Sequence, residues 1–209
     1  MQKGLFIVFE GGEGSGKTTQ SKLLKDYLEK KGFKVIVTRE PGGTPTGEKI
    51  RDILKDPILE KTPLSELLLF NASRSCHIWQ KILPETSKGT MVISDRFSDS
   101  SIAYQCGGRK LPHQLVKKIN DLAVGKHYPD MVFIITGDVE KALNAAKKVS
   151  AKDDHFEKEK LEFHNRVKNA YLKIAKEKPK NHKIINGDQE IEKVHQDIVK
   201  EINKLLKNK

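Results

Sequence analysis

Residues 11–18 spell Gly-Gly-Glu-Gly-Ser-Gly-Lys-Thr, directly after the apolar run Leu5–Phe9 and Glu10. The spacing G-x-x-x-x-G-K-T, with a buried strand before it and an amphipathic stretch after it, is that of a phosphate-cradling loop. Such a loop dictates a strand–turn–helix unit and little else fits around it. Gly11, Gly12, Gly14 and Gly16 let successive N–H groups turn inward, with Glu13 and Ser15 at the variable positions between them. The helix starting near Lys17 aims its positive end at the same point. Lys17 can bridge outer phosphates, the Thr18 hydroxyl can take a magnesium site, and Thr19 completes the first turn. The loop predicts a bound nucleoside triphosphate, which for this chain is read as ATP with Mg2+.

The rest of the chain agrees with that unit. Short apolar runs recur at Leu5–Phe9, Val35–Thr38, Met91–Ser94, Met131–Thr136 and Lys183–Ile185. Helix-period stretches lie between them, at Lys17–Lys31, Gly47–Leu54, Leu64–Leu83, Pro112–Val124, Val139–Lys148, Phe156–Lys176 and Glu190–Leu206. Fully apolar strands alternating with helices predict an α/β domain whose parallel sheet is covered on both faces. Thr62-Pro63 supplies a cap and a first-turn proline for the long third helix. With 209 residues, no repeat and no long linker, residues 1–209 are read as one domain. The polar stretch Ser150–His155 is read as part of a short lid at about 149–156.

Composition narrows the function. No apolar run approaches membrane-spanning length, and the first strand follows Lys3 so closely that no leader peptide is expected. Two cysteines, Cys76 and Cys106, without a paired spacing, predict a reducing, cytoplasmic setting. The formal net charge of +11 raises nucleic acid as a partner. The excess is lysine spread along helices, however, with no arginine-rich tract, so neither nucleic acid nor membrane is expected as a partner. A GTPase would carry an Asn-Lys-x-Asp guanine reader, which does not occur. The third strand ends Ser94-Asp95-Arg96, one acid and one arginine, which suits water or metal ordering plus phosphate binding at a sheet edge.

Spaced blocks beyond the loop carry a resemblance. They are Phe9 through Gln20, Thr38-Arg39-Glu40-Pro41-Gly42-Gly43-Thr44, Leu68 through Arg74, Asp95-Arg96-Phe97 with Ser100 through Gln105, and Glu162 through Val167 leading to Tyr171. Together they resemble bacterial thymidylate kinases, from Phe6 to about Tyr171. The resemblance implies a P-loop kinase fold with a five-stranded parallel sheet, a homodimer formed through helix faces, and transfer of the terminal phosphoryl of ATP to dTMP. It also implies roles. Phe70 stacks on thymine; Arg74 donates to the thymine edge, with Ser101 and Gln105 nearby; Tyr104 stands where a ribose 2′-hydroxyl would go. Arg51 and Arg96 hold the monophosphate with Glu40 lining the pocket, while Glu13 and Asp95 sit near magnesium and its waters. Read without the resemblance, Phe70 is a core residue, and Arg51 and Tyr104 are a solvated and a packed helix position.

One block departs from the pattern. The lid region Ala145–His155 holds no arginine, and His155 stands where the family usually shows one after aspartate. The phosphate loop offers no cation besides Lys17. Charge for the moving phosphoryl is therefore expected either from Lys147, Lys148 and Lys152 or from Arg96.

Overall fold

A computed structural model describes residues 3–149 and 159–207. Lys152 and stretch 150–156 of the expected lid lie outside the described residues, as does the side chain of Lys148.

Five strands, β1 (Phe6–Glu10), β2 (Val35–Arg39), β3 (Met91–Asp95), β4 (Met131–Thr136) and β5 (His182–Asn186), form one parallel sheet in the order β2-β3-β1-β4-β5. The period of two along β1 decides what packs where. Phe6 and Val8 enter a core with Phe97, Tyr104, Phe163, Val167 and Tyr171. Ile7 and Phe9 enter the opposite one, against Leu24 and Leu28 of α1 (Lys17–Lys30) and Val194, Ile198 and Ile202 of α9 (Ile191–Lys207). The central strands are apolar on both faces because helices cover both; edge strands β2 and β5 mix buried with exposed positions.

The remaining helices are α2 (Pro45–Lys55), α3 (Pro63–His77), α4 (Leu83–Ser87), α5 (Ser98–Ser101), α6 (His113–Val124), α7 (Val139–Val149) and α8 (Leu161–Glu177). Thr62 caps α3 as expected, its side chain accepting from Ser65 N at 3.1 Å with Pro63 in the first turn.

Two segments differ from the sequence reading. The expected helix Leu64–Leu83 is not uniform: α3 widens into a π-helical stretch, Ile78–Ile82, and continues as α4 to Ser87. A helix outside the expected helix-period stretches, although Tyr104 alone reads as a packed helix position, runs from Ser98 through a second π-helical stretch, Ile102–Gly108. Its serines and Gly107-Gly108 are poor helix formers. Tertiary contacts supply what propensity lacks: Glu10 Oε1 accepts from Phe97 N at 2.8 Å and Ser100 N at 3.2 Å.

Register places the site. Phe9 pairs with Asp95 and Arg39 pairs with Asp95, so the ends of β1, β2 and β3 lie side by side. The chain leaves β1 toward β2 and leaves β3 toward β4 on the other side of β1. Adjacent strands whose connections diverge open a crevice at their carboxyl ends.

Candidate active site

The phosphate loop is preset. Gly16 caps α1 in the left-handed region (φ 91°) with no side chain satisfying the first-turn N–H groups. Gly14 is also left-handed (φ 68°), and a Cβ there would come 1.8 Å from the Ala142 carbonyl oxygen of α7. Lys17 is buried, its ammonium donating to Gly12 O at 2.6 Å and Ser15 Oγ at 3.3 Å. Burial, reinforced by Arg96, pushes its pKa down to about 8 against the pull of Asp95, Glu13 and Glu10. The Thr18 hydroxyl donates to Asp95 Oδ2 at 2.6 Å, so those two predicted residues meet.

Arg96 lies where the strands meet. Its backbone is held in the left-handed region (φ 74°), an outlier for a non-glycine residue. Its guanidinium donates to Glu13 Oε1 at 2.6 Å, Gly11 O at 2.9 Å and Tyr104 Oη at 2.9 Å, and it rides over the Tyr104 ring at 4.9 Å. Tyr104 Oη donates to Glu13 Oε1 at 2.9 Å. Burial opposes ionisation of Glu13, but Arg96 and Lys17 outweigh it and hold the carboxyl down to about 2. Glu13, Arg96 and Tyr104 thus form one cluster beside the loop.

Behind that cluster stands Glu10, fully buried and absent from the sequence-predicted site. Its Oε2 accepts from Ser100 Oγ at 2.6 Å and Tyr171 Oη at 2.8 Å. Tyr171 Oη in turn receives Arg96 Nη1 at 3.3 Å. Burial, with Asp99 nearby, pushes Glu10 up to about 7 despite these donors. The folded pKa lies above the unfolded one, so the native state binds the extra proton. Stability from Glu10 is full below about pH 4.5 and falls as pH rises to about 7. Glu10→Gln keeps the amide oxygen for the two backbone donors and offers N–H to the two hydroxyls, without ionising. Thermal melts from pH 4 to 8 are expected to show wild type losing stability relative to Glu10→Gln between about pH 4.5 and 7, and running parallel above it. Parallel curves throughout would show that Glu10 does not take up a proton on folding.

A cleft of about 730 Å³ runs past the cluster. At one end it is bounded by Phe70, Arg51, Glu40, Ser101 and Gln105. Phe70 serves both readings, packing against the core with one side and facing the cleft with the other. Arg51 Nη1 donates to Pro41 O at 2.9 Å. Gln105 is buried, and its Nε2 has no hydrogen-bond partner among the described residues, leaving a donor for a ligand. Arg74 lies beneath the wall and not in it. The guanidinium, 1% exposed, donates through Nε to Glu40 at 2.8 Å, through Nη1 to Asn71, Ser101 and Asn120 at 3.0–3.1 Å, and through Nη2 to Phe97 O at 2.9 Å.

The other end is bounded by Ala145 and Ala146, from the start of the expected lid region, and by Gly187, Gln189, Ile191 and Val194, which were not anticipated. The turn after β5, at the carboxyl edge of the sheet, was the available signal for Gly187 and Gln189. A smaller hollow of about 300 Å³ lies against the loop and is lined in part by Lys141, Lys168 and Asp188. Lys147, on α7, is exposed and lines neither cavity.

A glycine cradle on a parallel sheet, a buried loop lysine and a two-ended cleft with an arginine between its ends define a P-loop phosphotransferase with room for two nucleotides. Known proteins narrow the class. The thymidylate kinase family model matches residues 9–198. The chain is 47% identical over 202 residues to a thymidylate kinase of Fervidobacterium nodosum, covering 97% of this chain and all of the relative. It is 44% identical over 204 residues to one of Thermoanaerobacter sp., covering 98% of this chain and all of the relative. A crystal structure of thymidylate kinase from Ehrlichia chaffeensis superposes with a TM-score of 0.79 at 37% identity, over 96% of this chain and 99% of that one. The chain belongs to the thymidylate kinase family, whose members are ATP-dependent kinases that convert dTMP to dTDP.

Proposed function

We propose that residues 1–209 act as one catalytic domain that transfers the γ-phosphoryl of ATP to dTMP, supplying dTDP for dTTP synthesis. The observation that carries the reading is the position of Arg96 on the cleft wall, bonded both to Glu13 of the loop and to Tyr104, the neighbour of Gln105. The bond between the γ-phosphorus and the β,γ-bridging oxygen breaks as one forms to an oxygen of the dTMP phosphate. That oxygen is already deprotonated at neutral pH, so the step needs alignment and positive charge more than a general base. In this reading the loop and Lys17 hold the ATP phosphates, Arg51 and Arg96 hold the acceptor phosphate, and Phe70 stacks on thymine. Ser101 and Gln105 approach the base edge, with Arg74 beneath them donating to Ser101 Oγ. Tyr104 occupies the space a 2′-hydroxyl would need.

Thr18 and Asp95 give Mg2+ two hard oxygens next to the loop, the donor chemistry that ion takes together with phosphates and water. Among the described residues no group of three or more His, Cys, Asp and Glu side chains gathers around a metal position. That fits an ion completed by substrate oxygens; once bound, it would neutralise charge on the ATP phosphates. Glu13, expected as a further acid near magnesium, is tied to Arg96.

Exposed Leu68 on α3, Trp79 just beyond it and Leu122 on α6 support a homodimer through these helix faces. Free Cys76 and Cys106 support a cytoplasmic setting. No described helix is long and apolar enough to cross a membrane.

An ADP-release assay over a panel of acceptors tests the reading. dTMP is expected to be the best acceptor, with dUMP weaker by about 10–200-fold, since one methyl in an apolar pocket discriminates by that much. Cytosine and purine monophosphates are expected below dUMP. Turnover with thymidine but not dTMP would overturn the assignment of the acceptor site.

A further inference from the structure

Beneath the acceptor end lies a buried chain of polar groups whose inner members, His77 and Thr38, the reaction as described does not use. His77, on the last turn of α3, is fully buried. Its Nδ1 lies 3.0 Å from Glu40 Oε1 and its Nε2 lies 2.8 Å from Thr38 Oγ1. The other Glu40 oxygen accepts Arg74 Nε at 2.8 Å, and Arg74 Nη1 reaches Ser101 Oγ, on the cleft wall, at 3.0 Å. The loop after β2 closes over this chain so tightly that a Cβ on Gly43 would come 2.6 Å from Thr38 Oγ1 and 2.9 Å from the His77 ring.

Charge and geometry fix the proton. Three ionisable groups face one another here: Glu40 from the β2–α2 loop and Arg74 and His77 from α3, with the Lys81 ammonium on Gly43 O at 3.1 Å along the same loop. Glu40 and Arg74 already balance as a buried ion pair. A second buried cation would have no counter-charge, which favours the neutral imidazole. A carboxylate only accepts, so the proton sits on Nδ1, and Nε2 accepts from the Thr38 hydroxyl.

We propose that His77 is a positioning residue for the acceptor base: its Nδ1–H holds Glu40, and through Glu40 sets the place of Arg74 beneath the thymine edge. Thr38 fixes the tautomer, so β2, the loop after it and α3 act on the base as one unit. The proposal rests on the dTMP reading given above. It predicts an effect on the acceptor nucleotide and none on the donor, which a merely stabilising histidine would not produce.

Two isosteric substitutions separate the contacts. In His77→Asn the amide nitrogen falls near Nδ1 and keeps the donation to Glu40; in His77→Gln the amide falls near Nε2 and reaches only Thr38, whose hydroxyl donates to its oxygen or accepts from its nitrogen. His77→Gln is expected to raise KM for dTMP about tenfold, the range for losing a hydrogen bond to a charged group. KM for ATP should stay within about twofold, and His77→Asn should stay within about threefold of wild type for dTMP. Equal dTMP effects in the two variants, no effect in His77→Gln, or equal effects on both nucleotides would overturn the proposal. A measurement on wild type does not depend on any variant folding: imidazole 15N shifts at neutral pH are expected to show the Nδ1–H tautomer. The Nε2–H tautomer or an imidazolium would overturn the proposal. If wild type fails to use dTMP at all, the function falls, while the tautomer still decides the His77–Glu40 contact.

Discussion

Arg96→Ala is expected to lower kcat by about a thousandfold or more, the scale on which an arginine stabilises a moving phosphoryl group. Arg96 donates at once to Gly11 O, Glu13 and Tyr104 Oη, so its guanidinium cannot wander from the point it occupies. Arg96→Lys keeps the charge but loses the planar fork, and is expected to recover only a small part of the rate. Arg96→Gly separates chemistry from folding. Its backbone relaxes at φ 74°, where glycine is unstrained, so it is expected to melt no lower than Arg96→Ala while being as slow. Steady-state and single-turnover kinetics, with thermal melts on the same preparations, decide this. A fall in kcat of less than about tenfold would move the electrostatics onto Lys147, Lys148 and Lys152. That question arises because the stretch from Ala145 to His155 contains no arginine.

Lys17→Ala is expected to reduce kcat/KM for ATP by about a thousandfold, with dTMP binding nearly unchanged, because the ammonium meets only the donor phosphates. Its burial gives a second signature. Charged below a pKa of about 8 and neutral above it, Lys17 should make kcat/KM for ATP fall as pH rises through about 8. Lys17→Arg carries a charge that does not titrate in this range and should flatten that limb. It should still be slow, since a guanidinium does not fit the buried space against Gly12 O and Ser15 Oγ. A wild-type profile without the limb would mean that Lys17 stays protonated across the range.

The phosphate loop was legible because its spacing encodes its geometry locally: glycines, lysine and threonine occupy fixed offsets in one turn. The sheet was legible too, since unbroken apolar runs between helix-period stretches leave few alternatives. The acceptor half was readable only through the resemblance. Nothing local in Arg74 tells that Glu40, 34 residues earlier, will accept its Nε. Nothing around Glu10 tells that Tyr171, 161 residues away, will donate to it. Such contacts depend on how distant helices dock against the sheet and its loops, which a single sequence does not display. The start and extent of the helix at 98–108 were missed for the same reason, because it starts on a carboxylate borrowed from β1.

The two wide helical stretches have a consequence of their own. Leu83 N reaches back to Ile78 O and Arg109 N to Tyr104 O, five residues instead of four. Each such turn takes up one residue more than an α-turn, worth about 100° of rotation. Tyr104 and Gln105 lie inside the second of them, so their aim is set by how many residues precede the turn as much as by which residues they are. A one-residue deletion within 102–108 could leave every acceptor side chain in the chain and still turn those beyond it off the pocket. Over this stretch, chain length is itself inherited information. Two relatives with the same letters but a displaced gap would present different walls to the same nucleotide.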